Sequence, residues 1–197
     1  MDLEILESIQ KKILSHLKDL PDINAFYLTG GTALSAFYLG HRKSNDLDFF
    51  TNTEELILPF SFKMEEILKG KGFDVKRERG FRSFVELFVN FCAESTIMHI
   101  ALDSPFRFEQ PAESKEFPGI KIDSLIDIAT NKLLTLFGRA TLRDFIDVYF
   151  LVKEKFTQAE LIEKAQIKDP GLDLYWLGEH LKELTNFPTI LLKCCFW

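Results

Sequence analysis

Hydrophobic positions near the start of the chain change from helical spacing to strand-like alternation. In residues 2–19, leucine and isoleucine recur at helical spacing with charges between them, which predicts an amphipathic helix. Residues 24–29 form a short apolar run that predicts a strand, and Gly30 and Gly31 interrupt it before the next helix. Residues 46–51 alternate acidic and apolar side chains, which predicts a second strand with one buried face.

The remaining pattern separates a strand-rich part from a helical part. Pro59 marks a predicted helix start, and three runs that favour strands follow at 73–79, 82–89 and 95–102. A proline-containing loop at 104–119 comes next. Helical spacing of apolar residues then predicts helices at 124–137, 142–155, 158–167 and 172–184. We therefore predict an α+β (α/β) fold, with an α/β domain over residues 1–105 and a connecting loop plus helical domain over residues 106–197.

Composition narrows the class of protein further. Of the 197 residues, 46% are hydrophobic and 27% are charged, as in ordinary globular proteins. No apolar run approaches the about 18–20 residues that span a bilayer, and the acidic N-terminus is unlike a signal peptide, so we expect a cytoplasmic protein without membrane contact. The net charge of −6 argues against non-specific nucleic-acid binding. The basic residues between Lys69 and Arg82 are either a solvated face or a local basic patch.

Asp46 and Asp48 are the first candidate site residues. Side chains alternate across a strand, so both carboxylates point to one side, about 7 Å apart, while Leu47 and Phe49 enter the core. Oxygen ligands on a rigid strand suit Mg²⁺ or Mn²⁺, which then bind the phosphates of a substrate. The alternative is an edge strand with two solvated carboxylates.

The Gly30-Gly31-Thr32 turn is the second candidate. Glycine lets the backbone approach a phosphate closely, and a new helix presents unpaired N–H groups to an anion. The alternative is an ordinary turn with Thr32 as the N-cap of the helix. A phosphate-binding turn and a metal-binding pair on consecutive strands together predict a nucleoside triphosphate site.

These motifs resemble one known family. The runs 26–34 and 41–51, followed by Lys132 and later by Arg-Asp-x-x-Asp at 143–147, are similar to the nucleotidyltransferases of the AbiEii/AbiGii toxin family, which belongs to the DNA polymerase β-like superfamily. The resemblance covers about residues 5–190. It implies a nucleotidyltransferase-like mixed sheet flanked by helices, with an all-helical C-terminal half. It also implies transfer of NMP from an NTP to an acceptor with Mg or Mn.

The resemblance also implies roles for individual residues. Asp46, Asp48, Lys132 and Asp147 would be catalytic, with Asp46, Asp48 and His99 at the metal. The nucleotide would contact a larger set: Gly30, Gly31, Thr32, Arg42, Ser44 and Arg143. Arg42 could equally support the strand through Asp46.

The residues after Lys132 also have a purely structural interpretation. Thr141-x-x-Asp144 has the form of a capping box, in which Asp144 stabilises the start of a helix. Asp147 lies one turn later, within reach of Arg143. Together with Arg139 these groups could form a structural set of ion pairs.

A third carboxylate, which the family typically takes from a neighbouring strand, is not evident. The matching strand, residues 97–103, places His99 at that position, or Ala101 if the register slips by two. Asp103 is the nearest carboxylate on the same face, and Glu86 is a further option. A neutral imidazole favours softer ions than Mg²⁺, so this departure predicts weaker Mg²⁺ binding and low transferase activity.

The leading functional prediction is therefore the toxin of a toxin–antitoxin or phage-defence pair, with an NTP as substrate, a cognate antitoxin as partner, and RNA or protein as acceptor. One alternative is a nucleotide-binding and partner-binding protein with weak catalysis. Another is a small-molecule nucleotidyltransferase of the kind that modifies antibiotics.

Overall fold

The computed structural model describes residues 3–18 and 20–183, and it confirms the predicted fold class. The described part contains a seven-stranded mixed sheet with helices around it. The strands are β1 (Tyr27–Thr29), β2 (Asp46–Thr51), β3 (Asp74–Phe81), β4 (Phe84–Phe91), β5 (Glu94–Leu102), β6 (Ala112–Glu113) and β7 (Lys121–Ile122). The helices are α1 (Ser8–His16), α2 (Gly30–Ala33), α3 (Glu54–Gly70), α4 (Leu125–Arg139), α5 (Leu142–Glu154), α6 (Gln158–Lys168) and α7 (Leu174–Lys182). None of these helices combines the length and apolar character needed to cross a membrane.

Strand β2 lies at the centre of the sheet, whose order is β3-β4-β5-β2-β1-β7-β6. It pairs antiparallel with β1, where Asp48 is opposite Thr29, and parallel with β5, where Asp48 is opposite His99. Strands β3, β4 and β5 form an antiparallel meander, and Glu86 of β4 is opposite His99. Since directly paired residues point to the same face of a sheet, the register places Asp48, His99 and Glu86 side by side.

The two faces of the sheet differ in polarity. Leu47 and Phe49 of β2 are fully buried on the face against α1 and α3, where Phe26 stacks on Phe60 with ring centroids 3.7 Å apart. The alternate residues, Asp46 and Asp48, lie half-buried on the opposite face. This is the alternation expected of a strand with a single core face. Helix α4 covers part of the polar face and itself packs against α5, α6 and α7.

Several predicted boundaries shift in the structure. Strand β1 is only three residues long, because residues 23–25 form a short 3₁₀ turn before it. Helix α2 starts at Gly30 rather than at Thr32, and it continues as a π-helical stretch to Leu39. Helix α3 starts at Glu54, so Pro59 lies within the helix and forgoes one backbone hydrogen bond.

Two predictions are not tested by the structure. The last helix is predicted to end at Leu184, which lies outside the described residues. The domain boundary at residue 105 stays a prediction, and the two short strands β6 and β7 from beyond it join the same sheet.

Candidate active site

Gly30 brings the glycine turn into direct contact with Asp48. Its φ is +73°, a conformation that favours glycine, and a Cβ built on it would lie 2.0 Å from Oδ2 of Asp48. Any side chain at this position would therefore displace the carboxylate. The turn and the acidic strand, which the sequence treats as two separate motifs, form one continuous surface.

His99 links Asp48 to Glu86 across three adjacent strands. Its Nδ1 lies 2.8 Å from Oδ1 of Asp48, and its Nε2 lies 3.4 Å from Oε2 of Glu86. Burial lowers the pKa of the imidazole, but the hydrogen bond to Asp48 and the charges of Asp46 and Glu86 outweigh it, so the pKa of His99 is raised above its ordinary value. His99 therefore lies on the side of the sheet that carries Asp48, as the family resemblance implied, and its raised pKa favours the protonated imidazole.

Two arginines from the helical half lie over the acidic strand. Nη1 of Arg143 is 3.7 Å from Oδ2 of Asp46, and the arginine side chain is 61% exposed. Arg139 pairs with Asp144 at 2.9 Å, and the charge of Asp48 contributes to raising the pKa of this arginine. Both guanidinium groups remain largely in solvent, so a phosphate can reach them without losing buried contacts.

Asp147 has a different environment from Asp46 and Asp48. It is fully buried and accepts hydrogen bonds from three cationic or imidazole side chains. Nε and Nη2 of Arg42 lie 2.7 and 2.8 Å from its two oxygens, Nε2 of His41 lies 2.7 Å away, and Nζ of Lys132 lies 2.8 Å away. Burial raises the pKa of this carboxyl, but the hydrogen bonds from His41 and Arg42 and the charge of Lys132 lower it well below its ordinary range.

The Asp147 cluster fixes the position of Lys132. The side chain of Lys132 is 11% exposed and lines the same cleft as Gly30 and Asp48. Arg42 lies under the glycine turn, since a Cβ on Gly31 would be 2.7 Å from its Nη2. Arg42 thus contacts Asp147, and neither of the two roles weighed for it from the sequence is its main contact in the structure.

Thr32 and Ser44 are buried beneath the glycine turn. The hydroxyl of Thr32 donates to the backbone carbonyls of Ser44 and Asp46, which ties helix α2 to the start of β2. The Oγ of Ser44 lies 2.9 Å from the position of a Cβ on Gly31. These side chains support the turn from below, so contact between Thr32 and a phosphate would run through its backbone N–H.

Asp144 forms the capping box that the sequence predicted as its structural alternative. Its Oδ2 accepts hydrogen bonds from the backbone N–H of Thr141 at 3.3 Å and from the Thr141 hydroxyl at 2.6 Å. Burial raises the pKa of Asp144, but the hydrogen bonds from Arg139 and Thr141 outweigh it and lower the pKa. Asp144 therefore stabilises the turn between α4 and α5 and orients Arg139.

A cleft of about 480 Å³ lies between the polar face of the sheet and α4. Its sheet side includes Thr29, Gly30, Gly31, Asp48, Phe50 and Asp103, and its helix side includes Ile128, Asn131, Lys132, Leu134, Thr135 and Arg139. This is the size at which proteins bind small ligands. A second cavity of about 510 Å³ among α4, α5, α6 and α7 is almost entirely apolar. It contains none of the candidate site residues.

A buried ionic cluster at one end of this cleft escaped the sequence analysis. Arg107 lies 3.1 Å from Oδ2 of Asp103 and 3.8 Å from Asp127, and it also pairs with Asp123. Its guanidinium lies over the Tyr27 ring at 4.3 Å, and the Tyr27 hydroxyl donates to Asp103. Asp103 is thus held away from Asp48, and His99 occupies the position beside it. A single arginine in a proline-containing loop gave no signal of this role.

The residues present provide an incomplete set of ligands for a divalent cation. Asp46 and Asp48 are partly exposed carboxylates on one face, which is the donor chemistry that Mg²⁺ and Mn²⁺ prefer. Within residues 3–18 and 20–183, however, no three side chains of the Asp, Glu, His and Cys types form a ready metal-binding group. The two carboxylates fit a cation that takes its remaining ligands from substrate phosphates and water.

A glycine turn next to an Asp-x-Asp strand, facing a cleft lined by a lysine-bearing helix, defines a nucleotidyltransferase. The family model of the AbiEii nucleotidyl transferase toxin, a type IV toxin–antitoxin system, matches residues 12–170. The chain belongs to this family, which confirms the resemblance found in the sequence.

The chain is also similar to one individual relative in sequence and to solved structures in fold. An uncharacterized protein of Aquifex aeolicus (strain VF5), aq_aa25, is 30% identical over 167 residues, which are 81% of this chain and 73% of that protein. The fold is similar to JHP933 from Helicobacter pylori, with a TM-score of 0.57 and 21% identity over 86% of this chain and 77% of that one. It is also similar to MenT4, a nucleotidyltransferase toxin from Mycobacterium tuberculosis H37Rv, with a TM-score of 0.59 and 21% identity. That match covers 81% of this chain and 62% of MenT4.

Proposed function

We propose that this chain transfers a nucleoside monophosphate from an NTP to an acceptor on an RNA or a protein, with Mg²⁺ or Mn²⁺ as cofactor. The observation that carries the proposal is the convergence of Gly30, Asp48, Lys132 and Arg139 on one cleft. Phosphoryl transfer depends mainly on positioning and on neutralising charge, and these residues supply both.

Each group has a distinct role in this proposal. The backbone N–H groups of the glycine turn bind the phosphates at the start of α2. Lys132 and Arg139 neutralise phosphate charge from the helical side, and Arg143 does so beside Asp46. When bound by Asp46 and Asp48, a divalent cation supplies further neutralisation and orients the triphosphate. The oxygen of an acceptor hydroxyl attacks the α-phosphorus and gives up its proton to solvent, the bond to the bridging oxygen breaks, and pyrophosphate leaves.

Asp147, with Arg42 and His41, acts one layer below the reacting groups. Its charge is fully compensated by its buried partners, so it has little capacity to accept a proton from a substrate. We assign it the role of holding the Lys132 ammonium at the wall of the cleft. Asp48 is the better candidate for contact with the reacting groups, because it is 20% exposed and lies against Gly30.

Isothermal titration of the full chain with an NTP tests the cation site. Binding should strengthen at least about tenfold when Mg²⁺ or Mn²⁺ replaces EDTA, because the triphosphate brings several negative charges next to Asp48. Asp48→Asn should lose most of this dependence. Asp74→Asn, an exposed carboxylate on β3 outside the cleft, is the matched control and should behave like the wild type. Equal affinity in EDTA and in Mg²⁺ would refute the cation site.

We also propose that the chain acts in the cytoplasm as a toxin that a cognate antitoxin counteracts. The support is membership of the AbiEii toxin family. Expression in a bacterial host should slow growth, and Asp48→Ala should remove the effect at equal protein level. Labelled NTP added to a lysate should mark the acceptor as RNA or protein. Unchanged growth at high expression would contradict the toxin role.

The contact between His99 and Asp48 favours a second candidate, a nucleotide-binding protein with weak catalysis. The raised pKa of His99 favours a protonated imidazole at the place where a third carboxylate would supply negative charge. NTP binding without any labelled acceptor would favour this candidate over the transferase.

A further inference from the structure

The two ends of the active-site cleft have different chemistry. At one end, Arg139 feels the charge of Asp48 and Arg143 lies 3.7 Å from Asp46, so the C-terminal end of α4 lies over the two aspartates. Asn131 precedes Arg139 by two helical turns, about 12 Å along the axis. The cleft therefore extends from the phosphate-binding groups toward the first turns of α4.

The position of the far end is fixed independently by Arg107. This arginine joins Asp103, at the end of β5, to Asp127, in the first turn of α4. Phe50 follows Asp48 on the same face of β2 and also lines the cleft. The far end is thus formed by Phe50, Asp103, Ile128 and Asn131.

Two of these side chains have unused binding capacity. The Asn131 side chain lines the cleft at a half-buried position and makes no hydrogen bond to any residue in the described part of the chain, so its amide can donate to and accept from a ligand. Phe50 is also half-buried, whereas its neighbours Phe49 and Thr51 in the strand are fully buried. A flat aromatic ring beside an unpaired amide is suited to a planar, hydrogen-bonding ligand.

We propose that this end of the cleft, formed by Phe50 and Asn131, binds the nucleobase of the NTP and selects a base that carries an exocyclic amino group. The inference rests on the proposed transferase function, because the triphosphate at the glycine turn directs the base toward the far end. The base stacks on Phe50, and the amide of Asn131 pairs with the donor and acceptor on its edge.

Asp103 provides the preference for an amino group. Its Oδ2 accepts from Tyr27 and Arg107, and its Oδ1 accepts from the backbone N–H of Ser104 at 2.8 Å. A carboxylate oxygen accepts two hydrogen bonds, so Oδ1 retains capacity toward the cleft. A carboxylate accepts but does not donate, so it favours the 4-amino group of cytosine over the 4-oxo group of uracil.

CTP and UTP form a matched pair for the test, since their bases differ in this group. Isothermal titration of the full chain in the presence of Mn²⁺ should show that CTP, ATP and GTP bind more tightly than UTP. The affinity for CTP should exceed that for UTP by about 5-fold, which corresponds to the contribution of one hydrogen bond. Asp103→Asn should bring the CTP/UTP ratio close to one, because the amide that replaces the carboxylate both donates and accepts hydrogen bonds. Asn90→Leu on β4, outside the cleft, should leave the ratio unchanged.

Inorganic triphosphate, which has no base, separates this inference from the proposed function. Inorganic triphosphate should bind the wild type and Asn131→Leu with equal affinity. Phe50→Leu should lower the affinity for all four NTPs without lowering the affinity for triphosphate. Phe88→Leu, at a half-buried position of β4 outside the cleft, is the control for stacking. A CTP/UTP ratio that Asp103→Asn leaves unchanged would overturn the base site alone. Failure of both triphosphate and NTPs to bind the wild type would overturn the base site together with the proposed function.

Discussion

Asp147 and Asp48 are both aspartates of the motifs that carry the family resemblance, but their surroundings differ completely. Asp147 is fully buried, and both of its oxygens are taken up by His41, Arg42 and Lys132. Asp48 is 20% exposed, and its Oδ1 contacts a half-buried imidazole. A buried, fully paired carboxylate has little to offer a substrate, whereas a half-exposed one can bind a cation or a phosphate-bound metal.

The two aspartates therefore have different roles, although both belong to the motifs that carry the family resemblance. The Asp147 cluster joins residues 41–42, which precede β2, to helices α4 and α5, and so holds the sheet and the helical half in register. The Asp48 surface is formed on this scaffold and keeps its groups accessible. Stability measurements should therefore respond mainly to changes at Asp147, and activity measurements mainly to changes at Asp48.

The largest effect is expected for Asp147→Asn. The substitution leaves Arg42 and Lys132 as buried charges without their counter-ion, which should lower the free energy of unfolding by about 3–5 kcal/mol. Urea denaturation at neutral pH measures this loss. Asp46→Asn, at a half-exposed carboxylate, should change stability by less than about 1 kcal/mol.

The pH dependence provides the control for this prediction. Because the pKa of Asp147 is lowered in the folded state, its contribution to stability is present above the unfolded pKa and disappears as the pH falls through the lower, folded pKa. The stability difference between wild type and Asp147→Asn should therefore shrink as the pH falls below about 4. A difference that stays constant down to pH 2 would show that the loss does not come from the ionised carboxylate.

The next largest effect is expected for Asp48→Asn on catalysis. Nucleotide transfer should fall by about 100-fold or more, because the change removes the negative charge with which Asp48 would hold the cation, while the side chain keeps its shape. The free energy of unfolding should change little. If Asp48→Asn lowered the free energy of unfolding as much as Asp147→Asn does, the proposed difference between the two regions would be wrong.

His99→Asp should have a smaller effect on nucleotide transfer, and this effect should be an increase in rate. The substitution places a third carboxylate beside Asp48 and Glu86, so Mg²⁺-dependent transfer should rise by about tenfold, less than a fully positioned base contributes. Wild type should use Mn²⁺ relatively better than Mg²⁺, since imidazole is the softer ligand. Unchanged rate and metal preference in both His99→Asp and His99→Ala would show that His99 is not part of the site.

The smallest effect is expected for Glu86→Gln, and it concerns the pKa of His99. Glu86 contributes to the raised pKa of His99, so the variant should lower that pKa while the hydrogen bond to Asp48 keeps it from falling to the value of an unpaired histidine. An NMR titration of the His99 ring measures the shift. Asn90→Ala on the same strand is the control. An unchanged pKa would indicate that the 3.4 Å contact does not persist in solution.

The sequence predicted the parts of the site that depend on local periodicity. Strand alternation placed Asp46 and Asp48 on one face of their strand, and it placed His99 and Asp103 on one face of theirs. That the two faces coincide was implied by the family resemblance. The capping box of Thr141 and Asp144 was also visible as a spacing. These features depend only on the geometry of a single helix or strand, so they can be predicted without knowledge of the tertiary structure.

Contacts between distant segments could not be predicted in this way. The pairing of Arg42 with Asp147 joins residues 105 positions apart, and the sequence offered Asp46 and phosphate as partners instead. Arg107 and its three aspartates were missed for the same reason. Pro59 was assigned to a helix start because proline favours that position, but burial of Ile57 and Phe60 draws the helix one turn further back.

The contacts of Asp147 also determine when during synthesis the site becomes complete. The chain emerges from its N-terminus, so β1 to β5 and the glycine turn are available for folding well before residue 147. Until α5 has been made, Lys132 lacks the carboxylate that holds it at the wall of the cleft. A nascent chain therefore carries its acidic strand without a positioned lysine. The enzyme gains its full phosphate-binding surface only after residue 147 has been translated.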